Sequence, residues 1–598
     1  MSTTATLRLP RARVRARLPD PQLAAILALA SVLCLWGLTR SGYSNTYYAA
    51  AAKAATESWK ALFFGSLDPG SFITVDKPPL SLWLMGLSGR VLGFSSFSML
   101  LPQALCTIGS VALLHATVKR AFGARPAVLA ALALAVTPVT VAVARVNNPD
   151  ALLVLLLVAS GWALMRAVES GRTKHLAWCG AFVGLAFMTK MLQGWMVVPA
   201  LALTYLAAGP PALGTRIRQL LIAGATMLAV SAAWPLAVTL WPGSTPYIGG
   251  SEDGSVWNLI FGYNGFGRIF GEGGPSGGGG FGGATGIGRL FNSQVGGQIG
   301  WLLPLAAAGL IAGLWATRSA PRTDRARAGW ILFGVWAAVH VIVFSFQRGI
   351  FHPYYVSALA PAVAALSGAG LVALVGWART SWAGVLALEG AIASTAWLAV
   401  ALLGRTPDFV PWLRTAVAIL AAVAMFGAVA LKVDGLLGRR ALATTAIVGL
   451  LAVLAGPAAY SITTSGRALN GNNVSAGPAG TSMSMGGGST TDSTLISYLQ
   501  AHQGSAKYLL AATGSQTTAP IILATGKAVV TIGGFNGQDP APTLAQLQAM
   551  VAKGELHYVL LSTQGGGGPG GSSASSELAT WVTAHGTEVS SISGLYRV

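Results

Sequence analysis

The sequence predicts an α-helical protein that crosses a membrane many times and ends in a small α/β domain. Two observations predict the membrane part. The mean hydropathy is +0.61, and only 9% of the 598 residues are charged, whereas soluble domains carry about 25% charged residues. The third observation is that helix-like and strand-like segments alternate after residue 492, which is typical of an α/β domain.

The formal net charge of +20 and the pI of about 10.3 need a separate explanation. The basic residues cluster in short loops between apolar runs, as the positive-inside rule for membrane proteins requires. The charge therefore indicates membrane topology, with lipid as the surrounding partner, and no nucleic-acid partner is predicted. The three cysteines all lie in apolar runs without a pairing or metal-binding pattern, which indicates core positions.

A membrane span needs roughly 20 apolar residues, and by that measure the chain contains about thirteen spans. Residues 1–21 form a basic N-terminus, and the apolar run that follows lacks a cleavage site, so we interpret it as an uncleaved signal-anchor. The chain is thus predicted to be a multi-pass plasma-membrane protein with its N-terminus in the cytoplasm. The spans of the membrane domain, residues 22–460, are predicted near 23–38, 97–118, 126–145, 151–167, 175–190, 194–209, 299–316, 329–346, 355–376, 382–404, 411–431 and 441–460, with the seventh span following the basic turn at Arg216 and Arg218 and ending near Trp241.

Two long loops, 40–96 and 242–298, are predicted to lie outside the cell. The first contains two predicted surface helices, residues 46–62 and 79–93. The second contains the segment WNLIFGYNGFGRIFG and a glycine run. This segment lacks the strand, helix and GK[ST] context of a nucleotide-binding loop. It is interpreted either as a structure that covers the substrate or as a spacer.

After the last span, residues 461–491 are rich in Ser, Gly, Asn and Thr, which predicts a flexible linker. Residues 492–598 are predicted to fold as an α/β domain outside the cell. Its predicted helices are 493–502, 516–524, 542–552 and 575–585, and its predicted strands are 507–512, 528–532, 557–561 and a short last strand.

The first candidate catalytic residue is Asp76, in the loop segment Thr74-Val75-Asp76-Lys77-Pro78-Pro79. The two prolines restrict the backbone beside this acid–base pair, so the pair is predicted to be held in a preset position. The second candidate is Asp150, which follows Pro149 at the boundary of a span. Ionisable groups at such boundaries are functional candidates. For Asp150 a simple helix start is the alternative.

Several side chains of the predicted outer loops suit an anionic ligand. Four cations on separate loops would form a phosphate pocket if the loops converge, with contact to lipid headgroups as the alternative. The aromatic residues around His352 either bind phosphate or a metal ion, or form an interfacial belt, and one histidine is weak evidence for a metal. The candidate substrate-binding residues are Tyr48, Lys77, Arg145, Lys190, Arg348, His352, Tyr354 and Tyr355.

These motifs together resemble those of a known family. The tyrosines and alanines of 47–51, DKPPLSLW at 76–83, an Arg and an Asp five residues apart at 145–150, YNGFGR at 263–268 and FHPYY at 351–355 are similar to motifs of the GT-C polyprenyl-phosphate-dependent glycosyltransferases. The resemblance is to the branch with protein O-mannosyltransferases and the lipid A aminoarabinose transferase, and within it to bacterial mannosyltransferase-like proteins with an external C-terminal domain. It covers residues 22–376.

This resemblance implies a hexosyltransferase that takes its sugar from a polyprenyl-phosphate donor and transfers it to an extracytoplasmic acceptor. It implies an external acid as general base on the acceptor hydroxyl, and cations or a divalent metal that stabilise the departing phosphate. Asp76 matches the acid of the family's acid-Lys-Pro motif, which can bind a metal together with a loop histidine. His352 is the candidate for that histidine in this chain.

One departure from the family pattern concerns the base. Where the relatives have Asp-Glu just before the two tyrosines, this chain has Ser44 and Asn45, and neither side chain is a carboxylate. Asp76 or Asp150 would then take the role of the base, or this branch uses another geometry. The alternatives to an enzyme are a transporter or flippase of lipid-linked sugar, for which internal repeats are expected but not seen, and a cell-envelope binding protein.

Overall fold

The computed structural model describes residues 20–271, 281–433, 439–479, 493–535, 537–561 and 573–598. The first half of the chain is a succession of helices interrupted by one long loop. Its helices are α1 (Pro21–Leu35), α2 (Thr46–Glu57), α3 (Trp59–Phe64), α4 (Leu80–Leu92), α5 (Ser96–Phe122), α6 (Ala124–Ala135), α7 (Pro138–Ala144), α8 (Asp150–Ser170), α9 (Thr173–Lys190), α10 (Leu192–Trp195), α11 (Val198–Ala208), α12 (Leu213–Thr239), α13 (Val256–Asn258) and α14 (Gly267–Phe270).

The second half completes the helical bundle and adds the C-terminal domain. Its helices are α15 (Gly296–Ile299), α16 (Leu303–Ala316), α17 (Arg325–Phe346), α18 (Ala360–Ala378), α19 (Trp382–Leu403), α20 (Trp412–Ala430), α21 (Arg439–Gly466), α22 (Ser493–His502), α23 (Ser515–Thr525), α24 (Leu544–Ala552) and α25 (Ser573–His585). Its strands are β1 (Ala511–Thr513), β2 (Val530–Ile532), β3 (Tyr558–Leu560), β4 (Thr587–Glu588) and β5 (Leu595–Arg597).

In the described part of the chain, ten helices are long and apolar enough to cross a membrane. Each coincides with one of the thirteen predicted spans. The other three predicted spans differ in form: α6 and α7 meet at an angle of 61°, α11 is a shorter apolar helix, and α9 has 18 residues and ends at a charged lysine. The bend falls at Thr137-Pro138, where proline removes a backbone donor and restricts the residue before it.

The loop between α1 and α5 is folded around the two predicted surface helices. The first of them ends at Glu57, because the hydroxyl of Ser58 accepts the backbone N–H of Ala61 at 3.2 Å and starts α3. The second is α4. The chain between them pairs with itself at Ser66 and Thr74 and with the second long loop at Ile73 and Tyr247. Backbone bonding thus fixes the segment before Asp76 against residues near 247.

The C-terminal domain is a five-stranded sheet with the order β2-β1-β3-β5-β4. Strand β1 pairs in parallel with β2 and β3, and β5 pairs antiparallel with β3 and β4. The four predicted helices are present as α22 to α25. The domain shares an apolar core with the first loop of the membrane domain, in which Leu499, Leu510 and Ile522 are buried together with Tyr47 and Ile73. The domain is therefore packed onto the bundle.

The linker prediction for residues 461–491 is wrong in its first part. Helix α21 continues to Gly466, and the chain after it is held against the bundle by specific hydrogen bonds. Asn148 donates to the carbonyl of Gly471 at 3.0 Å, and the Gln298 amide donates to Ala476 O at 3.2 Å. The polar composition serves this packing. Residues 480–492 lie outside the described residues.

Candidate active site

Asp76 and Lys77 form a buried ion pair just before α4. Lys77 Nζ lies 2.7 Å from Asp76 Oδ2, and the Tyr48 hydroxyl donates to Asp76 Oδ1 at 3.1 Å. Burial opposes the charged form of Asp76, but the Lys77 charge and these hydrogen bonds outweigh it and lower its pKa. Burial also lowers the pKa of Lys77, to about 8, although Asp76 partly opposes this. Asp76 is therefore a stable anion.

A second contact fixes the same lysine from the 242–298 loop. Asn264 accepts a hydrogen bond from Lys77 Nζ at 2.9 Å through Oδ1 and donates to the Asp76 carbonyl at 2.7 Å through Nδ2. Asn264 belongs to the π-helical stretch Leu259–Phe266, a local form that often occurs at functional sites. From the sequence, this segment was either a structure that covers the substrate or a spacer. In the structure it contacts the acid–base pair directly.

Asp150 and Lys190 form a second ion pair, deeper in the bundle. Asp150 begins α8 and Lys190 ends α9, and the Lys190 Nζ to Asp150 Oδ1 distance is 2.7 Å. Asp150 is fully buried, and its other oxygen, Oδ2, has no hydrogen-bond partner in the described structure. Ser357 lies 3.5 Å from Oδ1. Asp150 is thus both the helix start that the sequence allowed and the counter-ion of a buried lysine.

Arg268 connects the two pairs through aromatic rings. Its guanidinium lies 4.6 Å from the Tyr263 ring centre and donates to the Tyr355 hydroxyl at 3.1 Å. Lys77 Nζ lies 5.4 Å from the centre of the same Tyr263 ring, and Lys190 Nζ lies 3.8 Å from the centre of the Tyr355 ring. Cations over ring faces are favourable contacts. Lys77, Arg268 and Lys190 are therefore joined through Tyr263 and Tyr355 into one cluster of cations, and such a cluster suits a phosphate ligand.

His352, Tyr354 and Tyr355 lie beside this cluster of cations. The His352 ring stacks on Phe281 at 4.7 Å and on Tyr354 at 5.2 Å. Burial, helped by the nearby Arg268 charge, lowers the pKa of His352 to about 3, so the ring is neutral. Tyr354 also lies 5.2 Å from Lys190 Nζ. All three residues belong to the short helical turn at the start of α18 or to its cap.

The described residues contain no group of three His, Cys, Asp or Glu side chains that could hold a metal ion. Asp76, one of the two tentative metal ligands, is instead engaged by Lys77 and Tyr48. The donor set in this part of the chain does not match a metal site made of protein ligands. Lysine and arginine supply the positive charge here.

Two of the eight predicted ligands are not part of this cluster. Arg145 is fully buried, and its guanidinium donates to the carbonyls of Leu33, Cys34 and Gly37 at 3.1, 3.2 and 2.9 Å, which closes the end of α1. Sequence spacing could not separate this capping role from phosphate binding. The Arg348 side chain is exposed, and its backbone packs against Gly271.

We expect Arg145→Met to destabilise the protein without weakening lipid-phosphate binding. The substitution removes the side-chain donor from the buried carbonyls of Leu33 and Cys34, and each buried unsatisfied group costs about 1–3 kcal/mol. Thermal unfolding should shift down, while the Kd for undecaprenyl phosphate should stay unchanged. A selective loss of phosphate binding at unchanged stability would instead place Arg145 in the pocket.

Ser44 and Asn45 have structural partners at the position where the family carries its acids. Asn45 caps α2 by accepting the Tyr48 N–H at 3.3 Å, and its backbone N–H and C=O bond to the Asn147 side chain at 2.9 and 2.8 Å. The Ser44 hydroxyl donates to Leu469 O at 3.3 Å. Both residues are therefore engaged in local packing between α2, Asn147 and the chain after α21.

Three polar residues of the cluster were not predicted from the sequence. Asn264 and Arg268 lie in a Gly- and Phe-rich segment that allowed two interpretations, although Arg268 is the one cation of that segment before the glycine run. Asp539 comes from the C-terminal domain and accepts the Gly250 N–H at 3.0 Å. Only the docking of the two domains brings it here, so no local pattern could have found it.

The sequence and the fold were both compared with those of known proteins. The family described as "Dolichyl-phosphate-mannose-protein mannosyltransferase" matches residues 76–236, and "Putative mannosyltransferase YkcB-like, C-terminal" matches residues 495–585. Two Bacillus subtilis proteins, "Putative mannosyltransferase YkcB" and "Putative mannosyltransferase YycA", are each 33% identical over 96% of this chain, covering 92% and 94% of their own lengths.

The fold has a counterpart among solved structures. The structure of ArnT from Cupriavidus metallidurans bound to undecaprenyl phosphate aligns over 97% of this chain and 98% of its own, with a TM-score of 0.53 and 18% identity. The helical bundle is that of a GT-C membrane glycosyltransferase. Within that class, the chain belongs to the family of YkcB-like mannosyltransferases.

Proposed function

We propose that this protein transfers a hexose, of the mannose or glucose type, from a polyprenyl-phosphate donor to a hydroxyl of an acceptor outside the cytoplasm. The acceptor is a cell-envelope glycopolymer, a lipid or a protein. The observation that carries the proposal is the cluster of Lys77, Lys190 and Arg268, which are joined through Tyr263 and Tyr355. Three cations suit the phosphate of a lipid donor, and the ArnT structure with bound undecaprenyl phosphate supports this ligand.

The cations serve the step in which the bond between the sugar C1 and the phosphate oxygen breaks. Negative charge then grows on the phosphate, and preplaced positive groups stabilise it. Asp76 and Asp150 hold the two lysines in place, at 2.7 Å each. The hydroxyls of Tyr48 and Tyr355, fixed by Asp76 and Arg268 respectively, face the same charges. Both candidate acids are thus assigned to keeping the phosphate pocket assembled.

The orientation of the chain supports a reaction outside the cytoplasm. A basic segment lies at the start of the 22-residue helix α17 and contains Arg318, Arg322, Arg325 and Arg327. His352 follows the other end of the same helix. A helix of that length spans a bilayer core of ~30 Å. By the positive-inside rule the arginines face the cytoplasm, so the cluster and the C-terminal domain packed beside it face outward.

The test is turnover of the donor by the purified full-length protein in lipid nanodiscs. Undecaprenyl-phosphate-mannose and -glucose, each labelled in the sugar, are incubated with protein and with envelope fractions as acceptors. We expect one donor to lose its sugar, with the label appearing in the acceptor or in water. Binding of both donors without any loss of sugar would contradict a transferase and would fit a flippase or a binding protein.

Arg268→Gln should weaken the binding of undecaprenyl phosphate by about tenfold to a hundredfold. The substitution removes charge-assisted hydrogen bonds to phosphate, which are worth about 1.5–3 kcal/mol. Binding is measured by microscale thermophoresis in nanodiscs. The matched control is Arg379→Gln, because Arg379 is exposed at the other end of α18. Equal affinities of the two variants would exclude Arg268 from the phosphate pocket.

A further inference from the structure

The loop between β2 and α24 of the C-terminal domain reaches the active site. Its described residues are 533–535 and 537–541, and we refer to them as the docking loop. The ring of Phe535 packs on Tyr47 with a centroid distance of 4.9 Å, and Tyr47 packs on Tyr48 at 5.4 Å. Tyr48 is the residue that donates to Asp76. Two tyrosines, Tyr47 and Tyr48, therefore connect the docking loop to the acid–base pair.

The carboxylate of this loop is fixed beside Asp76. Asp539 Oδ2 accepts the backbone N–H of Gly250 at 3.0 Å. Gly250 adopts a φ of +79°, and a Cβ built on it would lie 3.2 Å from Asp76 Cβ and 3.4 Å from the Tyr263 ring. A glycine thus allows the chain to pass between the two acids. Asp539 of one domain and Asp76 of the other stand on either side of it.

The acids of the site differ in their partners. Asp76 and Asp150 are each held in an ion pair with a lysine at 2.7 Å. For Asp76, the Lys77 charge outweighs burial and lowers the pKa. Within the described residues Asp539 has no ion pair, and its bond is to a backbone N–H. The groups that face it are Asp76, Tyr47, Tyr247 and Tyr263, none of which is a cation. Of these acids, Asp539 is the one suited to accept a proton.

We propose that Asp539, supplied by the C-terminal domain, is the general base of the transfer and replaces the carboxylate that Ser44 and Asn45 lack. The inference rests on the proposed transferase function. The acceptor O–H proton passes to the Asp539 carboxylate while the acceptor oxygen forms a bond to the sugar C1. The bond from C1 to the phosphate oxygen breaks, and its electron pair stays on the polyprenyl phosphate. The proton then leaves Asp539 to water.

If Asp539 is the general base, the rate of sugar transfer should depend on pH in a specific way. Burial raises the pKa of Asp539 to about 7, a rise that the Asp76 charge supports and the Gly250 N–H partly opposes. A base acts in its deprotonated form, so the transfer rate should rise with pH through about 7. Lys77 loses its charge above its pKa of about 8, so the rate should fall again there, giving a narrow bell-shaped profile.

The test compares full-length variants in nanodiscs with labelled undecaprenyl-phosphate-mannose and -glucose between pH 5.5 and 9. Asp539→Asn keeps an oxygen for the Gly250 N–H but cannot take a proton. We expect it to lower the kcat of sugar transfer at least about a hundredfold and to remove the acidic limb, while the Kd for undecaprenyl phosphate and the melting temperature stay at the wild-type values. Asp539→Glu should recover part of the rate.

Glu577→Gln is the matched control, because it makes the same charge change on the exposed side of α25 in the same domain, and it should behave as wild type. An Asp539→Asn protein with the wild-type rate and pH profile overturns this inference and leaves the transferase function in place. A wild-type protein that binds undecaprenyl phosphate but turns over neither donor overturns the proposed function and the base together.

Discussion

Replacing Asp76 by Asn is expected to lower the kcat of sugar transfer by about a hundredfold to a thousandfold, the range found when one preorganised group that stabilises transition-state charge is removed. The amide can still accept the Tyr48 hydroxyl, but it no longer neutralises the Lys77 ammonium at 2.7 Å. Because burial already lowers the pKa of Lys77 to about 8, loss of its counter-ion favours the neutral amine. The pocket would then present one fewer charge to the leaving phosphate.

This expectation is checked by single-turnover kinetics with saturating labelled donor, so that binding and chemistry are separated. The affinity of the variant for undecaprenyl phosphate, measured separately, should recover in part below pH 7, where its Lys77 amine regains its proton. Asp408→Asn is the control, because Asp408 is an exposed acid in the loop after α19. A kcat for Asp76→Asn equal to that of the control would remove the Asp76–Lys77 pair from the reaction.

The second large effect is expected for stability. Asp150→Ala should lower the free energy of unfolding by about 3–5 kcal/mol, because it leaves the ammonium of Lys190 buried without a counter-ion. Lys190 Nζ lies 2.7 Å from the fully buried Asp150, and both side chains are nearly inaccessible to solvent. Glu169→Gln breaks the more exposed pair with Arg120 and should cost at most about 1 kcal/mol. Both are measured by equilibrium unfolding in mixed detergent micelles.

A double substitution separates stability from function at this pair. Asp150→Leu with Lys190→Met replaces both charges by apolar groups, which in other buried pairs is neutral or stabilising. We expect this variant to unfold like the wild type yet to have lost affinity for undecaprenyl phosphate, because the pocket loses one of its three cations. If the double variant retains the wild-type affinity, the pair serves only the fold.

The bundle and the acid–base loop were predictable because their signals are local. Runs of apolar residues define spans, and an Asp-Lys pair before two prolines indicates a fixed, charged turn. The same local signal failed for Arg145: its spacing from Asp150 looks like a site at a span boundary, while its guanidinium in fact caps α1 more than a hundred residues earlier in the chain. A capping arginine and a phosphate-binding arginine have the same sequence pattern.

The parts that sequence could not supply depend on long-range packing. Arg268 acquires its position only because the rings of Tyr263 and Tyr355 hold it between two lysines, and Asp539 reaches the site only because its domain packs on the first loop. The polar stretch 461–479 has the composition of a linker, but its backbone carbonyls at Gly471 and Ala476 accept hydrogen bonds from the Asn148 and Gln298 side chains of the bundle. Composition gives the polarity of such a segment, and packing decides its role.

The most direct test of the central claim is an experimental structure of the full-length protein in nanodiscs with undecaprenyl phosphate bound. The account predicts that the phosphate lies between the three cations, with oxygens within about 3.2 Å of the side-chain nitrogens of Lys77, Lys190 and Arg268, and with the docking loop still seated beside it. A phosphate bound elsewhere, with these three side chains still engaged only by their present protein partners, would contradict the account.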